Sequence, residues 1–170
     1  MKSNWSELVR IKTLETNWDK FPTTAGIYII RCGKDIHRAG GLDRNGILYI
    51  GKSLKLRNRL WQFWYLNHPA SWFIWKNPKI AKTMLGKNYS NKKNIEIQLG
   101  ELFLNTASPI SSKVLSAAER AVLYAYAYKF GELPPLNSSL PDRWAERASS
   151  EADLKWALKG ICTGRHAEGL

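Results

Sequence analysis

The chain has 170 residues and a formal net charge of +12, with 24% charged and 44% apolar residues. This length and composition suit one globular domain with a sizeable core and argue against global disorder. No run is long and apolar enough to span a bilayer, and the stretch from Met1 to Trp18 lacks the apolar centre and cleavage site of a signal peptide. We therefore expect a cytoplasmic protein without a membrane partner.

The N-terminal half is predicted to contain one helix and a pair of strands. Residues 3 to 16 favour a helix, because apolar residues recur there at roughly helical spacing and Ser3 could cap it. The β-rich stretch from Gly26 to Cys32 predicts a strand, and Ile47 to Gly51 predicts a second strand paired with it. Residues 33 to 46, which include four glycines, predict a long loop between them.

The remaining elements alternate between helix and strand. A helix is expected from a cap at Ser53 to about Leu66, followed by a short basic helix from Pro78 to Leu85. A third strand near 95–104 precedes a helix over 112–130 that ends at Gly131, and a last helix runs over 141–159. The pattern predicts an α+β fold, with a small three-stranded, mainly antiparallel sheet flanked by helices. The 170 residues are expected to form a single domain.

Basic residues are concentrated in one segment. Between Arg44 and Ile95 there are 11 lysines and arginines and no Asp or Glu. Such a block repels itself unless a polyanion faces it, which favours the phosphate backbone of DNA over the alternative of a solvated face that aids solubility. The candidate DNA-binding residues are Arg44, Lys52, Lys55, Arg57, Lys76, Lys79, Lys82 and Lys87.

Metal-ligating residues are sparse. The two cysteines and three histidines are scattered, which argues against a zinc site and favours free thiols in a reducing compartment. Aromatic residues, in contrast, cluster between Trp61 and Trp75 inside the basic segment. Most of these rings are expected to pack in the core, and one or two could stack on exposed bases.

Two short motifs, Gly26-Ile27-Tyr28 and Tyr49-Ile50-Gly51, carry little information singly, because all three residue types are normal in core strands. Their order along the chain is more specific. An Arg-rich helix follows the second motif at once, a helical Glu119 lies downstream, and Asn137 follows a proline-containing turn. This order resembles the GIY-YIG nuclease superfamily over roughly residues 25 to 140.

The resemblance implies a metal-dependent DNA endonuclease that hydrolyses phosphodiester bonds. The implied nuclease core is 25–140, with helical extensions over 1–24 and 141–170. Glu119 is the implied ligand of one Mg²⁺ or Mn²⁺ per active site, since one carboxylate suffices for an ion that keeps several waters. The implied catalytic residues are Tyr28, Tyr49, Lys52, Arg59, Glu119 and Asn137.

The chemistry suits these residue types, although each has a structural alternative. Arg59 supplies a positive fork for the scissile phosphate, or is a surface residue of an amphipathic helix. Glu119 holds the metal, or completes a capping box with Ser116. We favour Tyr28 as the base and Tyr49 as a supporting hydrogen-bond donor, and the two roles could be exchanged.

The pattern departs from the superfamily in two ways. The loop between the motifs is longer than in minimal members, and Phe63 stands four residues after Arg59, where many members have His or Tyr. Tyr65 or His68 could replace that residue.

The preferred reading is a stand-alone restriction or defence nuclease acting on double-stranded DNA, with a homodimer as one way to cut both strands. The alternatives are a repair or mobile-element nuclease and a non-catalytic nucleic-acid-binding module on the same fold.

Overall fold

The computed structural model describes residues 2–6, 8–10, 18–64, 96–103, 110–138 and 151–162. Strands β1 to β7 span Lys2–Trp5, Val9–Arg10, Gly26–Arg31, Ile36–Arg38, Gly41–Asp43, Ile47–Ser53 and Glu96–Phe103. Helices α1 to α3 span Leu56–Trp64, Ser112–Phe130 and Glu151–Cys162. These elements confirm the α+β class.

The main sheet is antiparallel and larger than predicted. Its strand order is β1-β7-β3-β6, and β2 pairs with β7 on the same side as β1, so five strands replace the expected three. The central strand β3 is buried along its whole length. Because helices cover both of its faces, β3 is apolar from Gly26 to Ile30 rather than alternating, and the buried Arg31 at its end donates to Gln98 and to the Gly160 carbonyl.

The predicted helix over residues 3 to 16 is wrong where the structure describes it. Residues 2–5 and 9–10 are strands, so the N-terminal extension widens the sheet instead of adding a helix. Between the two strands, Ser6 donates its amide to the Leu99 carbonyl (2.7 Å) and accepts from the Leu99 amide through its hydroxyl (2.9 Å). The N-terminal strands satisfy the backbone donors and acceptors along the outer edge of β7. This pairing outweighs the weak local preference of the segment for a helix.

The sheet edge formed by β1 is tied to α3 by one aromatic residue. Trp5 stacks on Trp156 with ring centroids 5.0 Å apart. A Cβ on Gly100 would lie 2.8 Å from the Trp5 ring, and a Cβ on Gly160 would lie 2.2 Å from it. Glycine at both positions therefore allows the ring to pack directly against β7 and α3. The helix predicted over 141–159 is present as α3 from Glu151 onward, and residues 139–150 lie outside the described part.

The segment between the two motif strands is a folded hairpin, not the expected loop. Strands β4 and β5 pair, and the turn between them docks on the C-terminal end of α2. There the Gly40 amide donates to the Phe130 carbonyl (2.8 Å), and a Cβ on Gly40 would lie 2.7 Å from the Phe130 carbonyl carbon. The hairpin therefore satisfies an orphan carbonyl of the helix, which Gly131 also caps in the left-handed conformation (φ 73°).

Two apolar layers sandwich the sheet. One layer contains Leu56, Leu60 and Phe63 of α1, packed with Tyr28 and other residues of that sheet face. The opposite layer joins Ile27, Ile29, Ile47 and Ile50 to α2 and α3. Among the described helices, none combines the length and apolar character needed to cross a membrane.

Helix α1 starts later than predicted. It begins at Leu56, and Ser53 forms a turn by accepting from the Lys55 amide (3.0 Å) instead of capping the helix. The first helical amides, those of Leu56 and Arg57, donate to the carbonyls of Thr24 and Pro22 at 3.0 Å. The chain entering β3 therefore fixes the start of α1 beside the end of β6.

Candidate active site

The two motif tyrosines lie side by side on the α1 face of the sheet. Tyr28 pairs in register with Gly51, and Tyr49 pairs with Ile30, so the two rings are diagonal neighbours with centroids 5.9 Å apart. A Cβ on Gly51 would lie 2.5 Å from the Tyr28 hydroxyl oxygen and 2.6 Å from Cε1 of Tyr49. Glycine at the end of the second motif therefore makes room for both tyrosines at once.

The environments of the two tyrosines differ. Tyr28 is fully buried, and burial, followed by the proximity of Tyr49, holds its pKa well above the usual value. Burial also raises the pKa of the half-buried Tyr49, but a hydrogen bond with Tyr28 lowers it. The same bond raises the pKa of Tyr28, which is the pattern of Tyr28 donating and Tyr49 accepting. Tyr49 is thus the oxygen better prepared to carry negative charge.

Lys52 and Glu119 form a close ion pair on the α2 side of the sheet, opposite the face that carries the two tyrosines. Lys52 Nζ lies 2.8 Å from Glu119 Oε2, and it also donates to Ser116 Oγ at 2.9 Å. Lys52 reaches α2 because it pairs in register with Ile27, whose side chain belongs to the α2 face. The Glu119 charge raises the pKa of both tyrosines as a smaller contribution, so its carboxylate acts electrostatically on both hydroxyls.

The capping-box alternative for Glu119 is wrong. Ser111 is the N-cap of α2, and its hydroxyl accepts from the Val114 amide (3.3 Å). Ser116 lies inside the helix and donates to the Ser112 carbonyl (2.8 Å). Glu119 is therefore about two turns beyond the helix start, where its carboxylate has no capping role.

Arg59 projects from α1 toward the same group. Its charge lowers the pKa of both Tyr28 and Tyr49, although less than burial raises it. Its side chain is half-buried, and Nη1 donates to Gln62 Oε1 at 2.9 Å. Phe63, in contrast, is fully buried in the layer below α1, so it contributes packing at the position where the resemblance leads one to expect a polar side chain.

Asn137 fixes the strand that carries the second motif. Its side chain accepts from the Ile50 amide (3.0 Å) and donates to the Ile50 carbonyl (2.8 Å), while the Leu136 amide donates to the Leu48 carbonyl (3.0 Å). Residues 136–137 thereby act as a short partner for β6, the last strand in the described sheet order. Asn137 holds the backbone between Tyr49 and Gly51 and is a positioning residue.

The predicted DNA-binding residues fall into four groups, the first of which is Lys52, whose ammonium is paired with Glu119 (2.8 Å). Arg57 donates to the carbonyls of Phe21 (2.7 Å) and Asp19, so its guanidinium holds the 19–22 segment against α1. Lys55 and Arg44 are exposed, the former just before α1 and the latter on the turn that leads into β6. Lys76, Lys79, Lys82 and Lys87 lie outside the described residues, as do Tyr65 and His68.

Glu119 is the carboxylate available to a divalent ion at this site. Within the described ranges, no group of three or more His, Cys, Asp or Glu side chains could hold a metal. A single carboxylate still fits Mg²⁺, which keeps several waters and takes one or two carboxylates. The Lys52 ammonium, 2.8 Å from Oε2, demonstrates that the site accommodates positive charge, and it would have to move aside for an ion.

Two side chains of this group have roles that the sequence did not indicate, since the pattern suggested Ser116 only as a capping residue and gave no role to Gln62. Ser116 orients Lys52, and Gln62 orients Arg59. Their spacing offered a signal, because each lies three positions from a predicted site residue, Glu119 or Arg59, on the same helix.

No protein-family model, curated protein or solved structure matches this chain.

Proposed function

We propose that this protein is a metal-dependent DNA endonuclease of the GIY-YIG type that hydrolyses phosphodiester bonds. One observation carries the proposal: five residues chosen from the sequence, and spread over more than half its length, meet around β6. They are Tyr28, Tyr49, Lys52, Arg59 and Glu119. Core packing alone does not require an ion pair, a paired-tyrosine hydrogen bond and an arginine at one place.

Tyr49 is the proposed general base. Burial and the Glu119 charge raise the pKa of Tyr49, but the hydrogen bond from Tyr28 and the Arg59 charge lower it, so these two neighbours favour the Tyr49 phenolate that takes the proton from water. Tyr28 remains protonated as the donor, because burial holds its pKa well above the usual value. The assignment reverses the one favoured from the sequence, in which Tyr28 was the base and Tyr49 the hydrogen-bond donor.

The cationic side chains suit a phosphate substrate. Arg59 offers a guanidinium fork oriented by Gln62, and the Lys52 ammonium, once an ion displaces it from Glu119, is a second donor for negative charge developing on the phosphate oxygens. Glu119 would hold one Mg²⁺ or Mn²⁺. When bound, such an ion activates water and stabilises the leaving oxygen.

The proposed substrate is double-stranded DNA. The proposed biological role is that of a stand-alone restriction or defence nuclease, and the alternative role is in repair or in a mobile element. The second candidate function is a non-catalytic nucleic-acid-binding module. It is favoured by the apolar Phe63 and by the Lys52–Glu119 ion pair, which neutralises the carboxylate proposed to hold the metal.

The deciding experiment is cleavage of supercoiled plasmid with Mg²⁺, with Mn²⁺ and with chelator. Wild type should nick or linearise the plasmid only with metal, and Glu119→Ala should abolish cleavage while retaining DNA binding. Glu132→Ala is the matched control, because it removes an exposed carboxylate that pairs with Arg38 (3.6 Å) away from the tyrosines. Binding without cleavage of plasmid, single-stranded or branched DNA would instead support the binding module.

A further inference from the structure

The ion pair between Lys52 and Glu119 is held in place by a third side chain. Lys52 Nζ lies 2.8 Å from Glu119 Oε2 and donates to Ser116 Oγ at 2.9 Å. Ser116 gives its own hydroxyl proton to the Ser112 carbonyl (2.8 Å), so the lone pairs of its oxygen remain for the ammonium. Two acceptors on neighbouring turns of α2 therefore fix the ammonium at the carboxylate.

The pair is shielded from water without being sealed off from it. The Glu119 side chain is 14% exposed and the Lys52 side chain is 34% exposed. A carboxylate that is largely removed from water interacts more strongly with a nearby cation than an exposed one does. Lys52 has a flexible stem, so its ammonium can leave Glu119 while the backbone of β6 stays in place.

Lys52 occupies the carboxylate that a divalent ion would need. An ammonium that moved off Glu119 and stayed with Ser116 would stand beside the ion with like charge and a neutral hydroxyl as its partner. A DNA phosphate removes this conflict, because it offers the ammonium a new anionic partner. Binding of DNA and binding of the ion should therefore strengthen each other through Lys52.

We infer that Lys52 is an internal counter-ion of Glu119, which holds the carboxylate in the free protein and yields it to a divalent ion when a DNA phosphate draws the ammonium away. The inference rests on the proposed function for its choice of DNA and of Glu119 as the metal ligand, and it adds a form of regulation to that site. The protein loads metal fully only on DNA, and the ion in turn tightens the grip on DNA, since the coupling is reciprocal.

The first test titrates the free protein with Mn²⁺ and follows the electron paramagnetic resonance signal of the unbound ion. Lys52→Met keeps the length of the side chain without its charge, and it should bind Mn²⁺ about tenfold more tightly than wild type, within the usual range of coupling between sites. Lys52→Arg keeps a cation and should bind as wild type. Glu119→Gln should lose the site, which identifies the ligand being measured.

Lys129→Met is the matched control for net charge. It removes a lysine from the same helix as Glu119, but from a position where the ammonium contacts the Cys162 sulfur at 3.3 Å. At moderate salt its Mn²⁺ affinity should equal that of wild type, because distant surface charges are screened. An equal gain in Lys52→Met and Lys129→Met, or a gain in neither, overturns the inference.

The second test adds a saturating short duplex, with Tyr49→Phe in every protein to keep the DNA intact. DNA should raise the Mn²⁺ affinity of the Tyr49→Phe protein about tenfold, once the ions bound by DNA alone are subtracted. Adding Lys52→Met should remove most of this increase, because the carboxylate is already without its counter-ion. A DNA effect of the same size with and without Lys52, or no DNA effect, overturns the inference.

Failure of the inference and failure of the proposed function give different results. Metal-dependent cleavage of plasmid, with Mn²⁺ binding that is indifferent to Lys52→Met, would retain the nuclease and overturn the counter-ion role. Mn²⁺ binding that depends on both Lys52 and DNA, without cleavage of any plasmid, would support the counter-ion role and overturn the nuclease.

Discussion

At the scale of single residues, the tyrosine pair predicts an asymmetric effect of removing each hydroxyl. Tyr49→Phe should reduce cleavage by about 10² or more, the usual contribution of a general base. Tyr28→Phe should retain more activity but need a higher pH, because the hydrogen bond that lowers the pKa of Tyr49 is lost. Rates measured against pH under single-turnover conditions test both effects.

The rate of the wild type should rise with pH, since the deprotonated fraction of Tyr49 increases. In Tyr28→Phe the rising limb should move to higher pH. Equal losses in both variants with an unchanged pH profile would contradict the assignment and favour Tyr28 as the base.

At the scale of elements, Asn137 is expected to hold β6 in place. Asn137→Ala removes two hydrogen bonds to Ile50 and leaves a strand edge open, so the free energy of unfolding should fall by about 1 to 3 kcal/mol. Cleavage should fall further than stability alone explains, because Tyr49 and Gly51 flank Ile50. Urea titration and cleavage rates check this, and Ser138→Ala, at a neighbouring exposed position, is the control.

Two basic residues near the start of α1 are expected to have different roles, one in the stability of the fold and the other in DNA binding. Arg57→Ala loses charge-assisted bonds to the carbonyls of Phe21 and Asp19, which should lower the free energy of unfolding by about 1 to 2 kcal/mol. Lys55→Ala should leave stability unchanged, weaken DNA binding and reduce the salt slope by about one. The reverse pattern in denaturant titrations and binding assays would contradict these roles.

Local patterns predicted the elements whose local and tertiary preferences agree. Strands β3, β6 and β7 are β-rich runs, and α2 has a capping serine, a regular apolar face and Gly131. The pattern failed where long-range pairing decides the structure. Residues 2–5 and 9–10 became strands because β7 offers an open edge, and 33–46 became a hairpin because it docks on the end of α2.

The candidate site follows the same division. The positions of Tyr28 and Tyr49 on paired strands place them together once the register is known. The Lys52–Glu119 bond, and the roles of Ser116 and Gln62, depend on which face of α2 or α1 meets the sheet. Arg57 also holds the 19–22 segment against α1 by its hydrogen bond to the Phe21 carbonyl. The sequence could not predict this role, because a surface arginine and a structural arginine on a basic helix have the same pattern.

At the scale of the whole molecule, buried tyrosines predict a loss of stability at alkaline pH. Burial, with Tyr49 nearby, raises the pKa of Tyr28, and burial, with Asp43 nearby, raises that of Tyr126, which donates to Asp43 Oδ2 at 3.0 Å. Below about pH 10 these hydroxyls are protonated in both the folded and the unfolded chain, so their contribution is complete. Above that pH the unfolded chain releases the protons while the folded chain keeps them, and folding becomes less favourable.

Each buried tyrosine should therefore remove up to about 1.4 kcal/mol of stability per pH unit above about pH 10. Urea titrations from neutral to alkaline pH measure the slope, and Tyr126→Phe should make it shallower by about one proton. Repeating the series at high salt controls for the net charge of +12, because salt screens repulsion between surface charges and leaves the burial effect in place. Stability that stays constant or rises above about pH 10 would contradict the burial of these hydroxyls, since lysine deprotonation relieves repulsion and acts in the opposite direction.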